Sequence, residues 1–159
     1  MHMIVILDNL RSIENVGSVY RTADALGVEK LFLCGTTPRP HPNEPWRRDH
    51  LALKKTALGA EITVPWEFHS DTLSAIKYAR RDGYRVFALE TGEQSQNLTQ
   101  MNYTNEKIAL IVGNEVEGIQ SSALELADTV VHIPMLGSKE SLNVAVSFGI
   151  AAFWLRYHR

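Results

Sequence analysis

The chain has 159 residues, 45% of them hydrophobic and 21% charged, with a net charge of −2. That length fits one domain with a proper core, and the near-neutral balance excludes a protein that grips nucleic acid through a bulk basic excess. The single cysteine, Cys34, excludes an intrachain disulfide, and no apolar run approaches the roughly 20 residues of a membrane span.

In chain order, a β-branched apolar run at residues 3–7 predicts a buried strand. Residues 16–26 follow as a helix, with Val16, Val19, Tyr20, Ala23 and Leu26 along one stripe and Gly27 as its stop. A second strand is predicted at 30–34, ending on Cys34, which reads as a buried structural thiol. Residues 36–53 read as the one long loop. Four prolines, Trp46 and the cations Arg39, Arg47 and Arg48 lie in or beside it, followed by His50, Lys54 and Lys55. This is the one local patch suited to RNA, although a solvated surface loop explains it equally well.

A weaker strand is predicted at 61–64, then a helix at 71–82 with Gly83 as its stop, and strands at 85–89 and 108–112. A short helix at 121–127, a strand at 129–133 and a long helix at 142–157 complete the pattern. Ser141 and Asn143 suit the start of that last helix, because their side chains can accept from free backbone N–H groups. Alternation of strand and helix predicts an α/β fold with a mostly parallel sheet and helices on both faces. The last helix is apolar around its whole circumference, which a second copy of the chain would explain. A homodimer is therefore expected.

Three junctions are rich in glycine and polar residues. At the first, Gly17 weakens a helix by about 1 kcal/mol relative to alanine, so close approach by something bulky would rationalise it. Arg21 projects from the same helix with a fork of donors suited to phosphate. The second, Val112-Gly113-Asn114-Glu115-Val116-Glu117-Gly118, ends a buried strand. Gly113 there would admit a ligand close to the backbone. It lacks the spacing of a dinucleotide fingerprint and the Lys-Ser/Thr of a P-loop. The third runs from Ile133 to Asn143, between a strand and a helix N-terminus, where open α/β sheets bind ligands. No Ser-His-acid arrangement is evident, and one cysteine with scattered histidines gives no metal site.

Together these segments resemble the SpoU/TrmH branch of the SPOUT RNA methyltransferases. The likeness rests on Asn15-x-Gly17-x-x-x-Arg21-Thr22-Ala23, on Ile111-Val112-Gly113-Asn114-Glu115-x-x-Gly118-Ile119, and on Ile133-Pro134-Met135-x-Gly137-x-x-x-Ser141-Leu142-Asn143-Val144-Ala145. Lys55-Thr56-Ala57-Leu58-Gly59-Ala60-Glu61 adds to it. The resemblance spans residues 9–154, and the third motif is the most specific.

The resemblance implies methyl transfer from S-adenosylmethionine to a ribose 2′-hydroxyl of tRNA or rRNA, on a fold with a deep C-terminal trefoil knot. It implies a catalytic group of Arg21, Asn15, Glu115, Ser141 and Asn143. Cofactor contacts are expected from Leu89, Thr91, Gly113, Ile133, Met135, Leu142, Asn143 and Val144, on three loops at 90–92, 113–115 and 133–143. RNA contacts are expected from Arg21, Arg47, Arg48, Lys54 and Lys55. Because guanidinium does not readily lose its proton, Arg21 is expected as a clamp rather than a base. Residues 1–159 read as a single catalytic domain in the cytoplasm, without a separate RNA-binding extension, membrane span or metal. The alternatives are a tRNA wobble-position methyltransferase, a non-catalytic RNA-binding or assembly factor with a relict pocket, and a flavodoxin-type small-molecule domain.

Overall fold

Alternating side chains along each central strand enter two different apolar cores. In the computed structural model, which describes residues 1–101 and 107–158, strand β1 (His2–Asp8) sends Met3, Val5 and Leu7 to one core and Ile4 and Ile6 to the other. Strand β2 (Lys30–Cys34) divides Leu31 and Leu33 from Phe32 and Cys34 in the same way. A period of two with both sets apolar is what a sheet covered on both faces requires.

The sheet has seven strands in the order β3-β2-β1-β6-β4-β7-β5, and each pairing between these strands is parallel. Beyond β1 and β2 these are β3 (Trp66–His69), β4 (Arg85–Leu89), β5 (Gln96–Asn97), β6 (Lys107–Val112) and β7 (Thr129–His132). Helices α1 (Ile13–Ala25), α2 (Arg48–Ala57), α3 (Ala60–Thr63) and α6 (Val144–Tyr157) contribute to one core; α4 (Thr72–Arg81) and α5 (Ser121–Leu124) contribute to the other. Ser12 caps α1 by accepting from the Asn15 N–H at 3.1 Å, and Asp71 caps α4 by accepting from the Ser74 N–H at 2.7 Å.

Four sequence expectations change. The stretch at 36–53 is not all loop, because α2 begins at Arg48. Its buried side is only His50, Leu53 and Ala57, and His50 is tied in by accepting from the His41 N–H at 3.0 Å, so the helical stripe reads as part of a basic patch. Residues 61–64 are no strand. Glu61 turns its carboxylate back to accept from the Gly59 N–H at 2.9 Å, closing a helical turn, and the strand lies beyond Pro65 as β3. The last helix starts at Val144 with Asn143 as its cap, leaving Ser141 in the exposed loop before it. Finally, Gly17 makes room for α2 rather than for a ligand: a Cβ there would meet the Leu53 carbonyl oxygen at 2.7 Å and overlap the Thr56 side chain.

Helix α6 buries Phe148, Ala151, Ala152 and Leu155, while Val146, Ile150, Phe153 and Tyr157 lie 51, 43, 58 and 63% exposed. Their spacing puts these four along one continuous apolar stripe. No helix among the described residues is long and apolar enough to cross a membrane.

Candidate active site

The C-terminal ends of β4, β6 and β7 open into one crevice of about 380 Å³, within the roughly 300–1,000 Å³ typical of small-ligand sites. Carboxyl ends of parallel strands are where open α/β sheets bind ligands. Leu89, Ile133, Met135, Leu142 and Val144 supply apolar lining; Thr91, Gly113 and Asn143 complete the eight residues read from the sequence as cofactor contacts. Asn15, Glu115 and Ser141 also line it.

A hydrogen-bonded relay joins the three motifs. Glu115 accepts from the Arg11 N–H at 2.9 Å through Oε2, and from the Ser12 N–H and the Asn15 amide, each at 3.0 Å, through Oε1. Asn15 in turn accepts through Oδ1 from the Asn143 amide at 3.0 Å. Asn143 then accepts through its own Oδ1 from the Ala145 and Val146 N–H groups, capping α6. One orientation satisfies the whole relay. Flipping Asn15 would set its carbonyl against a carboxylate, and flipping Asn143 would set its NH₂ against two backbone donors.

Desolvation pulls the Glu115 carboxyl upward, but the donors from Arg11, Asn15 and Ser12 outweigh it and hold the group below the usual glutamate range. The positive N-terminal end of α1 acts in the same direction. Both oxygens of this carboxylate are thus engaged by donors of the chain itself.

The 113–118 turn is built by chain packing. Asn114 donates its amide to the Asn9 carbonyl at 2.7 Å and accepts from the Val116 and Glu117 N–H groups. Gly118 has φ +71, a left-handed conformation suited to glycine, and a Cβ there would overlap the Glu90 carboxylate. Gly113 is similarly pressed against the Gly118 backbone, so its lack of a side chain serves the turn first. Past the turn, the Gln120 N–H donates at 2.9 Å to Asp8, a fully buried carboxylate that also accepts from the Thr72 hydroxyl at 2.5 Å.

Arg21 is not brought into this crevice. It sits six residues beyond Asn15 on α1, roughly 9 Å along the axis and roughly 240° around it. There it lines a second depression with Ser18, Lys55, Leu58 and Phe153. The basic patch is also divided. Arg47 is held by Glu44 at 3.0 Å and by Asp49 at 2.7 and 3.0 Å, and the Asp49 carboxyl is held down to about 2 by Arg47. His50 is buried and Arg39 stacks on Phe68 at 4.3 Å. Arg48, Lys54 and Lys55 remain exposed on α2 without an ion pair among the described residues. Sequence reading did not single out Glu90, Val112, Asn114, Val116, Gly118, His132 and Ser147 on the crevice lining, although Glu90 and Asn114 fall in the loops expected to hold the cofactor. Glu90 was the most accessible of these, since it opens the loop already assigned at 90–92.

Comparison with known proteins agrees with this geometry. The SpoU rRNA methylase family matches residues 2–153. A tRNA (guanosine(18)-2′-O)-methyltransferase of Thermus thermophilus is 30% identical over 152 residues, covering 95% of this chain and 72% of that protein. The AdoMet-bound rRNA methyltransferase structure from Sinorhizobium meliloti matches with a TM-score of 0.86 and 28% identity, over 99% of this chain but only 56% of that one. A solved structure concerned with the 2-OH methylation of C/U34 on tRNA matches with a TM-score of 0.76 and 30% identity, over 96% of this chain and 93% of that one. Residue pattern and fold therefore agree, and the chain belongs to the SpoU rRNA methylase family.

Proposed function

We propose that this chain transfers a methyl group from S-adenosylmethionine to a ribose 2′-hydroxyl of tRNA or rRNA. The observation that carries this reading is the convergence of Asn15, Glu115 and Asn143, from three separate motifs, on the rim of one ligand-sized crevice. The lining fits the donor: apolar walls suit an adenine ring, and two carboxylates without lysine or arginine suit a positively charged ligand. When bound, S-adenosylmethionine supplies an electrophilic methyl group on a positively charged sulfur.

The chain's own residues then have separable tasks. Leu89, Ile133, Met135, Leu142 and Val144 exclude water around the adenosyl group, while Thr91, Gly113 and the Asn143 backbone meet its polar edges. Glu115 and Asn143 hold the Asn15 amide, and Ser141, on the same crevice lining, places the ribose. Arg21 steadies the RNA phosphate and the developing 2′-oxygen, where preorganised charge lowers the barrier. The hydroxyl proton goes to a phosphate oxygen or to water, since guanidinium is no base.

Arg21 reaches a crevice only in a homodimer. The uncovered stripe on α6 supports that assembly, because Phe153 belongs both to the stripe and to the depression that holds Arg21. Joining two such stripes buries apolar surface and turns the partner's Arg21 toward this crevice. Arg48, Lys54 and Lys55 extend the RNA surface along α2; Arg47 contributes less, being neutralised by Glu44 and Asp49. The return of the chain from β7, beyond β4, to pack α6 on α1 supports a trefoil knot. A cytoplasmic setting follows from the RNA substrate.

The test is calorimetric binding of S-adenosylmethionine, followed by labelled methyl transfer to total tRNA and rRNA and mapping of 2′-O-methyl sites. Binding with transfer supports the reading, binding without transfer favours a relict-pocket RNA-binding factor, and no binding ends it. Position 34 of tRNA is the second reading, favoured by the 30% identity to the C/U34-related structure.

A further inference from the structure

Glu90 is a carboxylate in the crevice without a cationic partner among the described residues. It follows β4 directly, and its side chain is fixed between two backbone donors: the Thr91 N–H reaches Oε1 and the Ile119 N–H reaches Oε2, each at 2.9 Å. Gly118 leaves the space for it, since a Cβ at that position would overlap Oε2. Oε1 also accepts from the Thr91 hydroxyl at 3.4 Å, while Oε2 spends one acceptor site on the fold and keeps further capacity toward the crevice.

The contrast with Glu115 is informative. Both accept from three donors, but Glu115 also faces the positive end of α1, so part of its charge is answered within the chain. Glu90 has no lysine, arginine or histidine within ion-pair distance among the described residues. His132, on the same lining, is engaged through Nδ1 with the Ser95 hydroxyl at 2.9 Å. Partly buried charge normally finds an opposite charge. Here the ligand is the remaining source.

We propose that Glu90 is a specificity-determining residue that makes the crevice prefer the cationic methyl donor over the neutral thioether left after transfer. This rests on the reading given under Proposed function. S-adenosylmethionine carries one more positive charge than S-adenosylhomocysteine, while adenine, ribose and amino-acid groups are common to both. Contacts to the shared parts bind donor and product alike; a charge in the crevice separates them through the sulfonium. Such a residue helps clear product after each turnover.

The test compares calorimetric affinities for S-adenosylmethionine, S-adenosylhomocysteine and sinefungin, whose ammonium group replaces the sulfonium. In Glu90→Gln, affinity for the two cationic ligands falls about fivefold more than affinity for the neutral one, the scale of one charge in a partly solvated site. Equal losses for all three ligands overturn the proposal and leave Glu90 as a brace of the turn. A second measurement needs no variant: with the unaltered protein, rising ionic strength weakens the cationic ligands more than the neutral one. Parallel salt responses overturn it as well. If the unaltered protein binds none of the three, the methyltransferase reading fails instead.

Discussion

Asn143 meets Asn15 across 128 residues of chain, its Nδ2 donating to the Asn15 Oδ1 at 3.0 Å. The contact does two jobs through one amide, because the Asn143 oxygen caps α6 while its nitrogen orients Asn15. The two jobs separate by substitution. Asn143→Asp keeps an acceptor for the cap but sets a carboxylate oxygen against Asn15 Oδ1. It is expected to leave thermal stability near that of the unaltered protein and to lower methyl transfer at least tenfold. Asn143→Ala loses the cap too, costing about 1 kcal/mol of stability. Thermal melts and single-turnover transfer rates on both variants check this.

Glu115 makes stability sensitive to acid. Its folded carboxyl lies below the usual range, so the folded state resists protonation and the unfolded state takes up the proton first. The contribution is fully present above the unfolded glutamate pKa of about 4.3 and is lost as pH falls below it through the lower folded value. Thermal melts of the unaltered protein and of Glu115→Gln should differ by a constant amount between about pH 5 and pH 8 and converge below about pH 4.

Gly17→Ala tests how tightly α1 lies against α2. Alanine favours a helix by about 1 kcal/mol over glycine. Against that, its Cβ would overlap Thr56 and approach the Leu53 carbonyl oxygen at 2.7 Å, and such overpacking costs about 1–3 kcal/mol. Net destabilisation in chemical denaturation is the expected result, relieved only in part by adding Thr56→Ala, which leaves the Leu53 carbonyl at 2.7 Å and the residue 56 Cβ at 3.0 Å.

Cys34 sits at 0% exposure, and burial pushes its thiol up to about 12. It is expected to ignore a disulfide reagent at pH 8 in the folded protein and to titrate as one thiol once denaturant is added. Absorbance of the released thiolate gives the count directly.

How far these properties could be read in advance differs by kind of interaction. Strands buried on both faces announce themselves as apolar runs, so β1, β2, β4, β6 and β7 were legible to within a residue or two. The edge strand β3 was not, because Trp66, Glu67, Phe68 and His69 alternate too weakly, and the turn before it is closed by a Glu61 side chain whose direction no periodicity encodes. Helix α2 was hidden because a histidine occupies one of its three buried positions. At the crevice, Asn15, Glu115, Ser141 and Asn143 stood out by motif. Glu90 did not, since its interest lies in the missing cation around it, which depends on three-dimensional neighbours. The solitary placement of Arg21 is likewise a property of the fold, because sequence order puts it only six positions from Asn15.

That placement yields the sharpest test of the dimer. If each crevice uses the partner's Arg21, then Arg21→Ala and Asn15→Ala are both inactive alone, for different reasons. Mixed and allowed to exchange subunits, they form heterodimers in which the crevice of the Arg21→Ala subunit is intact and faces the normal Arg21 carried by its Asn15→Ala partner. Random exchange makes about half of the dimers mixed, each with one working site of two, so about a quarter of normal activity returns. If Arg21 instead served its own crevice, each variant subunit would be defective in any pairing and mixing would restore nothing. Methyl transfer measured before and after exchange, with sedimentation to establish the dimer, decides between these outcomes.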